Sequence, residues 1–277
     1  MSHPKRAAFR VGVHRPEALP QPWHPIRVYK ISTMPRSRIS SFIAIAALFA
    51  VCSIIPSLAA SAQSGDFTVS QHGKPVGTAG FHFTSTSAGF DATSIVRVSM
   101  QGLDYQLSKT EKLSFSNRLV HVQLSAIVNG SAVHVTAAPD STQLLMNISA
   151  NGRSSTTRLD AHNTAVFLPD FDPGALETLL ALAATNNNRD LWALLPRQSG
   201  SVDPIQLATY ADEKGTLDGK PVTVHHLVAT IAGQDTHLFS GPENQLLQAE
   251  LPQEGFALVR NGFVLTPPSK PVAPPAP

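Results

Sequence analysis

From Val202 to Phe263 the chain runs Pro204–Tyr210, Lys214-Gly215, Thr216-Leu217, Asp218-Gly219-Lys220-Pro221, Val222–Ile231, Ala232-Gly233, Asp235–Phe239, Leu246–Leu251 and Phe256–Val259. Short β-rich runs alternate with turn formers. Runs broken by Gly, Pro or Asp about every 8–12 residues predict an antiparallel meander rather than strand–helix–strand units.

The same pattern extends upstream. Phe67 and Val69 alternate as in a half-buried strand, and His72-Gly73-Lys74-Pro75 turns the chain into Val76–Phe83. Gly77 and Gly80 in that run mark a bulge or the close approach of another strand. Phe90–Met100 alternates again, and Tyr105–Lys109 reads as a further short strand. Asn129-Gly130, between Leu119–Val128 and Ala132–Thr136, is the strongest kind of two-residue hairpin signal. Asn151-Gly152 predicts a second hairpin, between Leu144–Ala150 and Thr156–Leu159, and Ala165–Leu168 continues the β pattern to Pro169.

One helix interrupts this series. Asp172 can accept from the free amides of a first turn, and Pro173 suits the first helical position because its missing N–H would be unpaired anyway. Leu176, Leu179, Leu180 and Ala183 then fall on one apolar stripe, with Leu182 beside it, and Asn186-Asn187-Asn188 ends the run. Arg189–Leu195, bearing Trp192 and closed by Pro196, predicts a second, short helix. The fold class is therefore mainly β, an antiparallel sheet with one packed α-helix.

Charge and targeting signals divide the chain. Met34 opens a signal-peptide pattern over residues 34–62: Arg36 and Arg38, an apolar core from Phe42 to about Ile55, and Ala60-Ser61-Ala62 before Gln63. Residues 1–33 read either as an extended basic n-region or as sequence ahead of a start at Met34. Eight of the 21 Lys and Arg and one of the 19 acidic residues precede residue 63, leaving 13 basic against 18 acidic, a net charge of −5. The basic character thus belongs to the leader and gives no argument for nucleic-acid binding. The single cysteine, Cys52, lies in the apolar core of the leader behind a poor lipidation motif, so the exported part has neither disulfides nor thiolate chemistry. Residues 63–266 are expected to form one β-rich domain, and the proline-dense residues 267–277 an extended, disordered tail. The expected location is the periplasm or the cell exterior.

Other stretches define the resemblance. Gly73-Lys74-Pro75-Val76-Gly77 follows an opening strand, and strand pairs with one mid-chain helix come next. The chain closes with Gly219-Lys220-Pro221-Val222, Thr236-His237-Leu238-Phe239, Leu246-Leu247-Gln248-Ala249-Glu250-Leu251-Pro252 and Gly255-Phe256-Ala257-Leu258-Val259-Arg260. This series, over most of residues 65–264, resembles secreted bacterial families of unknown function related to lipoprotein carriers of the Lol type. The resemblance implies a strongly curved sheet wrapped around a helix as an incomplete β-barrel, with an apolar concavity able to hold an acyl chain. It carries over no catalytic residue.

The polar candidates have simpler readings than chemistry. His225 and His226, as strand neighbours, point to opposite faces and cannot readily share one ion. His121 and His134 lie at unequal distances from the Asn129-Gly130 turn, and no metal-ligand motif occurs. Asp170, Asp172 and Glu177 could form an acid–base pair only if a cleft held them together; Asp172 reads as a helix cap and Asp170 as a loop residue. Ser199-Gly200-Ser201 lacks the Gly-x-Ser-x-Gly elbow, and Asp235 with His237 has no nucleophile nearby. No phosphate loop or dinucleotide fingerprint implies a cofactor. The expectation is a non-enzymatic binder of an apolar or lipid-like ligand, with Leu176, Leu179, Leu180, Leu182, Trp192 and Leu195 lining or covering the cavity. The alternative is a structural module that binds an envelope protein partner.

Overall fold

A computed structural model describes residues 63–197 and 200–267. The expected leader, Ser199 and the proline-dense tail beyond Pro267 lie outside the described residues. Eight strands come first: β1 (Ser64–Gln71), β2 (Lys74–Thr86), β3 (Gly89–Met100), β4 (Leu103–Leu113), β5 (Leu119–Val128), β6 (Ser131–Asp140), β7 (Gln143–Ala150) and β8 (Arg153–Asp160). They form an up-and-down meander in which each strand pairs antiparallel with the next. Asn129 and Gly130, both at positive φ (49° and 80°), supply the backbone twist that a two-residue hairpin turn requires, as do Asn151 and Gly152 (52° and 72°).

The second half begins with β9 (Ala165–Phe167), followed by helix α1 (Pro173–Thr185) and β10 (Leu191–Leu195). Leu191–Leu195 is thus a strand, where the sequence reading expects a short helix. It pairs with β9 on one side and with β11 (Ser201–Thr209) on the other. A short apolar run of this kind carries no periodicity that separates strand from helix, and its two partners decide the matter. β9 and β10 run parallel. A parallel pair needs a crossover, which α1 provides, so the sheet is mixed and holds one strand–helix–strand unit within an otherwise antiparallel series.

The remaining strands are β12 (Glu213–Leu217), β13 (Lys220–Ile231), β14 (Gln234–Ser240), β15 (Leu246–Leu251), β16 (Phe256–Arg260) and β17 (Phe263–Leu265). β13 through β16 form a second meander, and β16 returns to pair with β1, joining the two halves into one sheet. β13 divides its outer edge: its first half pairs with β12 and its second with β11. β12 also pairs with β17, and Val224, Phe239, Leu247 and Phe263 form a small apolar cluster apart from the main core.

The sheet curls without closing into a barrel. β5 approaches β9 and β8 approaches β11, while α1 touches β2, β3, β9, β10 and β15. Alternation along β4 is strict: Tyr105, Leu107, Lys109, Glu111 and Leu113 are buried and the residues between them exposed. β2, β3, β9, β10 and β15 meet α1, which is buried on nearly every side, including Leu182 off the main stripe. A helix that is apolar almost all round belongs inside a core. The expected mainly β fold, a curved sheet with one helix, is the observed one.

Candidate functional site

The concave face around α1 gathers the unusual chemistry. The helix begins as its sequence dictates: the Asp172 carboxylate Oδ1 accepts from the amides of Gly174 (2.9 Å) and Ala175 (3.3 Å). Its other oxygen has a role that local sequence does not reveal. Asp172 Oδ2 lies 2.7 Å from the Lys109 ammonium, which also reaches Glu111 Oε2 at 2.8 Å. All three side chains are at most 1% exposed. Lys109 and Glu111 stand two apart on β4, so they share its inward face.

Two carboxylates and one ammonium without water make an expensive group. Burial lowers the lysine's proton affinity, but the Asp172 and Glu111 carboxylates raise it further, and Lys109 stays protonated above the ordinary lysine range. Burial raises the Glu111 pKa above the usual carboxylate range, with Lys109 pulling the other way. Among the described residues, Ser94 Oγ and Glu111 Oε1 are buried and have no hydrogen-bond partner. Ser94 is the cross-strand neighbour of Lys109. Gly174 makes the close approach possible, because a Cβ there would lie 2.5 Å from Ser94 Oγ and 3.0 Å from Phe81 Cβ.

A second polar tether holds the flank of the helix. Glu177, 4% exposed, accepts from the Leu246 amide at 2.7 Å and from Gln63 Nε2. Burial pushes its carboxyl up to about 7, against the Leu246 N–H and the positive charge of Arg260.

Two cavities flank α1. One, of about 100 Å³, lies at the N-terminal end and is lined by Leu168, Phe171, Leu176, Leu195, Leu251 and Leu258 among others. Arg197, which donates to Asp170 through Nε and Nη2, lines it too. The other, of about 200 Å³, is lined by Phe83, Phe90, Glu177, Thr178 and Ala181 together with Gln63. The six leucine and tryptophan candidates therefore separate. Leu176 and Leu195 line the first cavity; Leu179, Leu180 and Leu182 are wholly packed in the core at 0%, 3% and 1% exposure. Trp192 lies at neither cavity: it stacks on His162 with ring centres 3.7 Å apart and donates from Nε1 to Asp190.

The other polar candidates fall outside this concavity. His226 is stacked against Tyr210 and Phe239; its Nδ1 meets Glu213 at 3.1 Å and its Nε2 meets His237 Nδ1 at 3.1 Å. Burial lowers its pKa, partly offset by Glu213. His225 instead meets Asp212 at 2.9 Å. His134 bonds Ser125, and Asp235 accepts from Thr230. Among the described residues, no three His, Cys, Asp or Glu side chains converge as metal ligands. Also among them, no helix is long and apolar enough to cross a membrane.

Lys109, Glu111 and Ser94 are the residues that sequence reasoning misses. Their signal is faint. The strand expected at Tyr105–Lys109 already puts Lys109 on the face of Tyr105 and Leu107, and extending it to Leu113 would add Glu111, but nothing local says that this face is the buried one.

Comparison of the chain with protein-family models, curated sequences and solved structures finds no match.

Proposed function

We propose that this protein is a non-enzymatic binder of an apolar, lipid-like ligand, exported to the periplasm or beyond, in which α1 is a displaceable plug over the ligand-binding concavity. A relationship to Lol-type carriers belongs to the same proposal. The observation that carries it is the setting of α1: one helix fills the concave face, with a cavity on each flank. Two further features support the reading. Polar tethers at Asp172 and Glu177 hold the helix where apolar contacts alone would be cheaper, since buried ion pairs gain little over well-packed hydrophobic residues. The residues flanking it, Phe171 on one side and Asn187, Asn188 and Asp190 on the other, all have φ between 51° and 58°. Asn and Asp adopt this conformation readily, so Phe171 is the uncommon one, and strained positions of its kind cluster at switch regions.

Neither cavity beside α1 reaches the 300–1,000 Å³ typical of ligand sites, so a ligand held in the concavity would have to displace α1. The test is native mass spectrometry of the protein purified from the periplasm of an expressing host, with solvent extraction of bound material. A co-purifying lipid, lost in Leu195→Asp with the circular dichroism spectrum unchanged, supports the reading. A clean apo mass that persists after incubation with phospholipids and fatty acids overturns it. The partner-binding alternative draws on exposed Ile95, Val120 and Ile127, and the apo outcome would direct attention there.

A further inference from the structure

We infer that the Asp172 carboxylate is a built-in substitute for the ligand's own head group: Lys109 and Ser94 receive the anionic head of a single-chain amphiphile when α1 withdraws. This inference rests on the proposed function and narrows it, from any apolar ligand to an alkyl chain carrying a carboxylate or a phosphate monoester.

Three observations carry it. First, Lys109 is the one buried lysine or arginine among the described residues, and it pairs with the cap of α1. Lys109, 1% exposed, shares its inward face with buried Ala92, Val96 and Leu107 and also with Ser94 and Glu111. Second, its strongest counter-charge comes from the helix, not from the sheet. Asp172 is the N-cap of α1 and withdraws with it, leaving the ammonium with Glu111 alone. Third, the site holds buried hydrogen-bonding capacity that the closed form does not use. Ser94 Oγ and Glu111 Oε1 have no partner among the described residues. An anionic head with one oxygen in the place of Asp172 Oδ2 would accept from the Lys109 ammonium, and a second oxygen of the same head could turn to the free Ser94 hydroxyl. The carboxylate of Asp172 now meets only the first of these.

The geometry also gives direction to the tail. Leu179, Leu180 and Leu182 follow Asp172 along α1 and fill the core beyond it. An alkyl chain whose head sits at Lys109 would take the volume those side chains vacate, as the helix itself runs from its charged cap into apolar surroundings.

The experiment compares hexadecanoate, hexadecyl phosphate and hexadecanol binding to the full chain by calorimetry, in wild type, Ser94→Ala, Lys109→Met and Asp172→Asn. Wild type is expected to prefer an anionic amphiphile over the alcohol by about tenfold or more, the change that one added charged contact gives. Whether carboxylate or phosphate binds tighter identifies the head group. Ser94→Ala, which removes one small hydroxyl, should weaken the anions several-fold and leave the alcohol unchanged. Lys109→Met should reduce the anion-to-alcohol ratio to about one. Asp172→Asn removes the competing carboxylate and should tighten the anions more than the alcohol. Equal binding of all three amphiphiles in wild type, or a preference that Ser94→Ala leaves untouched, overturns the head-group inference while the apolar-ligand reading stands. If none of the three binds, the proposed function itself fails and this inference with it. The wild-type ratio and Ser94→Ala decide the matter even if Lys109→Met does not fold.

Discussion

Glu177→Gln should make the protein more stable at pH 8 and leave it nearly unchanged at pH 4.5. Burial holds the Glu177 carboxyl at about 7 in the folded protein, against an ordinary value of 4.5. Its folded pKa is raised, so its favourable contribution is complete below pH 4.5 and disappears as pH rises through 7. At about 1.4 kcal/mol per pH unit of difference, wild type loses about 3 kcal/mol from this one group across that window. A neutral amide of the same shape can still accept from the Leu246 amide through its oxygen. It carries no charge to desolvate, so its contribution is flat. The difference between the two proteins cancels the titration of every other carboxylate. Urea melts of both proteins at pH 4.5, 6, 7 and 8 measure it. The variant should gain up to about 3 kcal/mol by pH 8, or roughly 2–4 °C in Tm for each kcal/mol in a domain of this size. A difference that does not vary with pH, or a variant that is less stable at pH 8, would refute the reasoning.

Three further outcomes follow from the same contacts. Lys109→Met leaves the Asp172 and Glu111 carboxylates buried without their cation and should cost about 3–5 kcal/mol in a urea melt, more than any surface lysine substitution. Gly174→Ala drives a methyl group against Ser94 Oγ and Phe81 and should cost about 1–3 kcal/mol. In a double-mutant cycle with Ser94→Ala, part of that cost should return, and purely additive effects would show that the two residues do not press on each other. Trp192→Ala should leave amphiphile binding unchanged in calorimetry, because the indole stacks on His162 at neither cavity; a large loss would place it in the site after all.

Much of the fold is legible in the sequence because its signals are local. Asn129-Gly130 and Asn151-Gly152 act through backbone conformation alone, and both form the hairpins they predict. Asp172 and Pro173 mark the helix start for the same reason. Leu191–Leu195 is harder, because its state depends on β9 and β11, which lie on either side of it only after the chain has folded. The parallel β9–β10 pair is hidden in the same way. The polar site is least legible of all. Asp172 has a sufficient local reading as a cap, which conceals its second oxygen, and Lys109 ends the expected strand Tyr105–Lys109 with no local sign that its face is buried. Their meeting depends on the phase of β4 and on the path of α1 through the concavity. Neither is written in any window of adjacent residues.

The claim that α1 is a displaceable plug is tested most directly by amide hydrogen exchange across Leu179–Ala183, with and without saturating hexadecanoate. The account predicts that the ligand speeds exchange in this segment, as the helix leaves the sheet, while the amides of β3 and β4 remain protected. Unchanged protection of the helix in a protein shown by mass to hold the amphiphile would contradict it.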